Sequence, residues 1–247
     1  LGCNLNHYFT PPADRAMQYI KDGEVGEQIY CLHKMGFAGS EYTYSQGGGS
    51  PVGGAQYFHV KAFLSHPFSV MRYFCGDVVQ VQAFFDRPSF RKSAGDLMLS
   101  VNSIHMRFQN GAMGYLLSQR GDATFGLGGW WSVEVAGTRG TFVIENCIEK
   151  LTYFPGPGTE GAANPENMSM GSSPIPTVHE SGISDFGETF PLRIHAFLED
   201  VTNEVPRHAL RASGRDALAT LEYTWAAIES HEQGGILVRP ELLPNVH

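Results

Sequence analysis

Apolar and polar residues alternate along several segments in the middle of the chain, and this period of two predicts β-strands. Two of these segments meet at Asn110-Gly111, a pair that favours a tight hairpin because both residues tolerate positive φ. The predicted strands lie at residues 27–35 and 78–85, around Asn110-Gly111 and 137–140, at 149–154, and at an edge segment, 236–240. We expect about six or seven strands, most of them joined as hairpins.

Apolar residues at helical spacing predict four helices, near the beginning, after the first strand and at the end. They comprise residues 10–22, 57–75, 192–205 and 213–228, the first capped by Thr10 and the last by a capping box of Ser213 and Asp216. One apolar stripe of the third helix contains Ile194, Phe197, Leu198 and Val201. Because the helices are grouped, the pattern predicts an α+β fold: an open, mostly antiparallel sheet with helices packed on one face.

Two long segments, at residues 36–56 and 155–186, show no periodicity. The first contains SQGGGSPVGG and the second is rich in Pro, Gly, Ser and Asn, so both are predicted to be loops. Loops of this length in a compact domain are often active-site covers, and the alternative is an excursion over the surface. We expect a single domain over residues 1–247.

Composition and charge narrow the classes of partner. The chain has 247 residues, a formal net charge of -8 and a pI near 5.6, with scattered basic residues, so nucleic acid is not an expected partner. Its apolar runs are too short for a membrane span and no signal peptide is recognisable, which favours a cytoplasmic protein without a membrane partner. The four cysteines lie far apart among apolar neighbours, as buried thiols in a reducing compartment do. The chain begins abruptly at Leu1, so we expect a fragment of a longer protein.

His66 stands directly before Pro67 in an apolar helical segment, and two interpretations of it are open. Pro67 removes a backbone N–H and disfavours helical geometry at the preceding residue, so we expect the helix to kink or restart there. His66 is then either a hydrogen-bonded core residue or the proton-handling group of an active site. His59 lies on the same helix face, but a metal site needs a third ligand that this stretch lacks, so no metal is predicted.

Five motifs, in order, resemble the C-terminal domain of the Gfo/Idh/MocA family, the relatives of glucose-fructose oxidoreductase and inositol dehydrogenase. They cover nearly the whole chain and read NLNHYFTPPADRAMQYIKDGEVGE, HPFSVMRYFCGDVVQVQAFF, FQNGAMGYLLSQ, VEVAGTRGTFVIEN and a final stretch from FLEDV to HEQGGIL. In the second motif, His66, Pro67, Arg72 and Gly76 stand at the family's offsets. The resemblance implies the fold of a glyceraldehyde-3-phosphate-dehydrogenase-like C-terminal domain.

The resemblance also implies an activity. In this family the domain follows an N-terminal Rossmann domain that holds NAD or NADP, and this sequence contains neither a strand–GxGxxG–helix unit nor the family's Glu-Lys-Pro motif. We therefore expect the substrate-binding and dimerisation half of an NAD(P)-dependent oxidoreductase acting on a sugar, inositol or related polyol, inactive by itself. The resemblance further implies a homodimer or homotetramer formed through the exposed sheet face.

By the resemblance, His66 is the catalytic histidine, a general base that takes the proton of the substrate hydroxyl. The family usually places Asp four residues earlier, whereas this chain has Ala62 there. His59 is the better substitute for that Asp because it shares the helix face of His66. The residues predicted to contact the substrate are His59, Asn6, His7, Tyr8 and His195.

Packing is the alternative role for several residues near this site. Tyr8 stands where many relatives carry Arg, and a buried aromatic ring is the other interpretation of it. We expect Arg72 to form a structural ion pair. Trp130 and Trp131 are expected at a subunit interface, the alternative being a sugar-stacking role.

The missing Asp leaves a second hypothesis for the whole chain. It is a non-catalytic, stand-alone sugar-binding or scaffolding module derived from the same domain. A third possibility, glycoside cleavage by transient oxidation with bound NAD, uses the same fold and stays open.

Overall fold

A computed structural model of the protein describes residues 2–37, 57–86, 99–120, 129–156 and 175–241. The strands within these ranges are β1 Gln28–Phe37, β2 Val78–Asp86, β3 Val101–Phe108, β4 Met113–Arg120, β5 Trp131–Gly137, β6 Gly140–Glu145, β7 Lys150–Pro155 and β8 Thr177–Glu180. They form one sheet in the order β2-β3-β4-β1-β5-β6-β7-β8. Only the pair of β1 and β4 is parallel in this sheet, so the predicted open, mostly antiparallel sheet is confirmed.

The two ends of the predicted strand list need correction. β8 falls inside the segment 155–186 that was predicted to be a loop, and it pairs with β7. Its four residues are mostly exposed, so they carry no alternating pattern. The segment 236–240, predicted as an edge strand, contributes only an isolated bridge between Val81 and Val238. Residues 38–56 and 157–174 of the two predicted loops lie outside the described residues.

The helices of the described ranges are α1 Pro11–Lys21, α2 Phe58–Phe63, α3 Ser65–Cys75, α4 Thr189–Thr202 and α5 Gly214–Glu232. Short 3₁₀ turns occupy Asn6–Tyr8 and Phe186–Glu188. The Thr10 side chain accepts a hydrogen bond from the backbone N–H of Ala13, and Ser213 and Asp216 form a reciprocal capping box. Both predicted caps are therefore confirmed.

Helices cover one face of the sheet. On β3, the inward residues are buried and alternate with exposed ones, the buried set being Asn102, Ile104, Met106 and Phe108. α1, α3 and α5 pack against β7, β1 and β2 respectively. The opposite face carries exposed apolar side chains, among them Phe84, Tyr115 and Leu117. This arrangement confirms the prediction of helices on one face.

The hairpin predicted at Asn110-Gly111 joins β3 and β4. Gly111 has a φ of 91°, and its N–H donates to the carbonyl of Phe108 over 3.0 Å. Asn110 is not among the residues with positive φ. The connection is thus a three-residue loop that ends in a left-handed glycine, and not the two-residue turn that needs positive φ twice.

The apolar stripe of α4 faces outward. Ile194, Leu198 and Val201 are each more than half exposed, whereas Arg193 and Asp200 are buried. Arg193 donates to the carbonyl of Cys3, and Asp200 accepts from Arg211, so the inward face of α4 is held by polar contacts. Helical periodicity predicted the two faces of α4, but a period alone does not say which face meets the core.

Candidate functional site

His66 lies where one helix ends and the next begins. α2 ends at Phe63 and α3 begins at Ser65, so His66 and Pro67 are in the first turn of α3. Proline is tolerated there because the missing N–H would have no intrahelical partner, and the predicted restart of the helix is confirmed. The Ser69 hydroxyl donates to the carbonyl of His66 over 2.7 Å, which fastens the turn.

The ring of His66 is half-buried, and burial lowers its pKa from the ordinary value. Its Nδ1 is buried and has no hydrogen-bond partner. Nε2 is therefore the ring nitrogen left to meet solvent or a substrate. The sequence left two interpretations of His66, a hydrogen-bonded core residue or an accessible base. Each describes only part of the ring, because the Nδ1 edge is buried and the opposite edge faces outward.

The ring of His7 lies flat against His66. Their centroids are 4.1 Å apart and the planes differ by 11°. His7 comes from the 3₁₀ turn Asn6–Tyr8, far from His66 in sequence, and is 4% exposed. The indole N–H of buried Trp131 donates to Nδ1 of His7 over 3.2 Å. Of the residues predicted to contact substrate, His7 is the one that the structure brings into ring contact with His66.

Two further aromatic rings contact His7 by their edges. Phe186 lies 5.2 Å from it at 90°, and Trp130 lies 6.5 Å away at 86°. Trp130 and Phe186 also contact each other edge to face, at 5.3 Å. Both indoles thus lie beside His7 on the helix side of the sheet. The expectation of a subunit interface is wrong for Trp131, which is 1% exposed.

Asn6 is linked by hydrogen bonds to the backbone of Phe186. Its side-chain amide donates to the Thr189 hydroxyl over 2.6 Å, and that hydroxyl donates to the carbonyl of Phe186 over 2.8 Å. Asn6 is 1% exposed. These contacts explain a structural part for Asn6, and its predicted contact with substrate stays a prediction.

His59 belongs to α2, on the other side of the helix break, and is fully buried. Its Nε2 is 2.8 Å from the Ser118 hydroxyl on β4. Ala62, at the position where the resemblance implies Asp, is exposed on the same helix. His59 and His66 lie on either side of the interruption at Leu64 and have different partners, Ser118 for His59 and His7 for His66. The substitution of His59 for the family's Asp stays a prediction.

Asn102 is a polar residue of this region that the sequence analysis missed. It lies opposite Ser118 in the register of β3 and β4 and is 0% exposed. Both its amide oxygen and its amide nitrogen lack a hydrogen-bond partner. An asparagine at an inward position of an alternating strand is the signal that could have found it.

Tyr8 and His195 line a separate groove. Tyr8 is buried and stacks on Tyr73 with centroids 4.6 Å apart, and burial raises its pKa. His195 on α4 is 74% exposed in its side chain, and its Nδ1 lies 3.4 Å from a carboxylate oxygen of Glu199. Tyr8, Tyr73, His195 and Glu199 all line one cavity of about 270 Å³. The predicted site residues thus fall into three groups, around His66, around His59 and in this groove.

Arg72 forms the structural ion pair that was expected. Its guanidinium donates to Asp77 over 2.6 Å and to Asp216 over 2.5 Å. Asp216 also caps α5, so this network fixes α3 to the start of α5. The helix that presents His66 is therefore held at its far end by charge-assisted hydrogen bonds.

The described ranges contain no group of three or more His, Cys, Asp or Glu side chains that could hold a metal ion. They also contain no strand–glycine loop–helix unit of the kind that cradles a dinucleotide, so these residues do not fit an NAD site of their own. Among the described helices, none is both long and apolar enough to cross a membrane.

Comparison with known proteins identifies a family. Residues 20–238 match the model of the Gfo/Idh/MocA oxidoreductase family, C-terminal alpha/beta domain. This range includes His66 but not Asn6, His7 or Tyr8. No curated protein sequence gave a match.

Solved structures share the fold at low identity. A levoglucosan dehydrogenase in complex with NADH and levoglucosan has 16% identity and a TM-score of 0.70 over 97% of this chain and 65% of its own. An oxidoreductase from Agrobacterium radiobacter, with NAD+, L-tartaric acid and magnesium, has 17% identity and a TM-score of 0.69, over 97% and 64%. An aldose-aldose oxidoreductase from Caulobacter crescentus, complexed with glycerol, has 16% identity and a TM-score of 0.69, over 97% and 63%. The chain spans less than two thirds of the length of these proteins.

Proposed function

The chain belongs to the Gfo/Idh/MocA oxidoreductase family as its C-terminal alpha/beta domain, and we propose that it supplies the substrate pocket and the general base of an NAD(P)-dependent oxidoreductase. The proposed substrate is a sugar, inositol or related polyol. The observation that carries the proposal is the placement of His66 in the first turn of α3, with Nδ1 buried and the ring half-exposed. The levoglucosan and NADH of a solved structure with the same fold support the substrate and cofactor classes.

The chain's own part in the reaction is binding, orientation and proton transfer. Burial lowers the pKa of His66, so the imidazole is neutral near neutral pH and can accept a proton. Nε2 takes the proton of the substrate hydroxyl during oxidation and returns it during reduction. A nicotinamide nucleotide, held by another part of the full-length protein, would accept the hydride. The rings of Trp130 and Phe186, which contact His7 by their edges, are the apolar surface that we propose for the C–H face of a sugar ring.

A second copy of the chain is the proposed partner on the open sheet face. That face exposes Tyr115 and Leu117 on β4, an inner strand of the sheet, and Phe84 on the edge strand β2. Within the described ranges, helices pack on the other face of the sheet and these apolar side chains are left exposed, as expected of side chains that meet another protein molecule. We infer a homodimer, or a homotetramer that contains this contact.

Ala62 supports a second candidate function. Its methyl group offers no hydrogen-bond acceptor to His66, and it points to solvent from α2. A chain without the carboxylate that the family usually provides could serve as a sugar-binding module that performs no oxidation. In that case the same pocket would bind polyols, but no reduced nicotinamide would form.

Replacement of His66 by Ala in the full-length protein tests the proposal. Turnover of a panel of sugars and inositols with NAD or NADP, followed by nicotinamide absorbance, should fall by about 100-fold or more, while substrate still binds. His208→Asn, at an exposed position between α4 and α5, is the matched control and should keep full turnover. Equal turnover in the His66 variant would refute the role of His66 as the general base. Binding of a sugar without any turnover in the unaltered protein would favour the non-catalytic sugar-binding module.

A further inference from the structure

The stack of His7 on His66 limits how many protons the two rings can hold together. With centroids 4.1 Å apart and nearly parallel planes, two imidazolium ions would repel each other across a buried contact. Burial, the charge of His66 and the charge of His33 all lower the pKa of His7. The pair therefore takes up a single proton in the accessible pH range and titrates as one unit.

Trp131 decides which of the two rings receives that proton. An indole N–H can only donate, so the 3.2 Å hydrogen bond to Nδ1 of His7 requires a lone pair on that nitrogen. A neutral His7 must then carry its hydrogen on Nε2. Protonation of His7 would place a second hydrogen on Nδ1, directly against the indole N–H, and would break the bond. His66 has no such donor on either ring nitrogen within the contacts described, so the proton goes to His66.

Among the described residues, no carboxylate acts on the pKa of His7 or of His66, so none changes this assignment. Besides His66, the titratable group that acts on His7 is His33 of β1, and the Cys147 thiol donates to the backbone carbonyl of His7. Burial lowers the pKa of His66. Ala62, which stands where the resemblance implies Asp, is exposed and provides no carboxylate.

We propose that His7 is the positioning residue of His66: its ring, locked by Trp131 in the Nε2–H tautomer, orients the imidazole of His66 and leaves it as the sole proton acceptor of the pair. This stack takes the orienting place of the missing carboxylate. The inference rests on the proposed role of His66 as a base, but the assignment of the proton does not depend on any activity.

Nitrogen-detected NMR of the histidine rings in this chain tests the assignment directly. Between about pH 8 and pH 5, His7 should remain neutral with its proton on Nε2, while His66 titrates with a single midpoint. In Trp131→Phe the lock on Nδ1 is gone, so His7 should show the second tautomer and share the titration. A neutral His66 beside a titrating His7 in the unaltered chain would overturn the proposal.

Variants of His7 separate positioning from simple packing. His7→Leu removes the stacked ring and uncovers His66, so the midpoint of His66 should rise by about half a pH unit or more toward its ordinary value. In the full-length protein the acid limb of kcat/KM should move by the same amount, whereas KM should change little. Should His7→Leu fail to fold, Trp131→Phe reports on the same lock with His7 still in place. His208→Asn should leave the midpoint of His66 where it is, and an unmoved midpoint in both site variants would refute the coupling.

Discussion

Acid should destabilise this fold through His33, a histidine buried in the middle of the sheet. His33 lies on β1, is 0% exposed and meets the edge of Trp131 at 4.7 Å. Burial lowers its pKa from 6.5 to about 3. Below pH 6.5 the unfolded chain therefore binds a proton at this residue that the folded chain does not bind. Stability is full above pH 6.5 and is lost as the pH falls toward 3.

The size of the effect follows from the gap between the two pKa values. Each pH unit below 6.5 costs the folded state about 1.4 kcal/mol through His33 alone, or roughly 2 kcal/mol at about pH 5. His7 and His66 also have lowered pKa values, so they contribute in the same direction. A loss of this size is a substantial part of the 5–15 kcal/mol, roughly, that stabilises a typical domain.

Urea unfolding followed by tryptophan fluorescence, repeated from about pH 7.5 to pH 5, measures this slope. His33→Met replaces the imidazole by an apolar side chain that cannot titrate. The slope of the free energy of unfolding against pH should therefore decrease by up to about 1.4 kcal/mol per pH unit, whatever the stability of the variant at neutral pH. His105→Asn, on the exposed face of β3, is the control and should keep the slope. A variant slope equal to that of the unaltered chain would show that His33 is protonated in the folded state, and the reasoning would fail.

Two other expectations concern the sheet. Leu117→Asp places a charge in the exposed apolar patch of the open face, so light scattering should report half the mass of the unaltered assembly, and an unchanged mass would exclude this face as the contact. Asn102→Leu removes an amide whose oxygen and nitrogen are both buried without partners, so the free energy of unfolding should stay the same or rise by up to about 2 kcal/mol. A loss of more than about 1 kcal/mol in chemical denaturation would mean that a bound water or ligand satisfies the amide.

Local chemistry made parts of the fold predictable from the sequence. The left-handed glycine at Gly111 and the proline at Pro67 each act on their immediate neighbours, so the hairpin and the helix restart could be inferred. β8 could not be predicted, because it is a strand through its pairing with β7 and its sequence shows no alternation. The exposed stripe of α4 was also out of reach, since Arg193 finds its partners at Cys3 and Ala212, at distant points of the chain.

The candidate site shows the same division between local and distant contacts. His66 could be singled out because of the adjacent Pro67, but its contact with His7 joins residues 59 positions apart through the 3₁₀ turn and α3. The periodicity that grouped His59 with His66 is local, and it gives no sign that His59 contacts Ser118, 59 positions away on β4.

Ala62, at the position where the resemblance implies Asp, changes the kind of base that we propose for the site. A carboxylate beside a histidine stabilises the imidazolium and so strengthens the base. The neutral ring stacked on His66 provides no negative charge, and burial disfavours the cation further. In the reaction that we propose, His66 would then be a weaker base that stays unprotonated at lower pH. The proton it accepts is also released more readily, so the geometry favours a group that passes its proton on over one that retains it between turnovers.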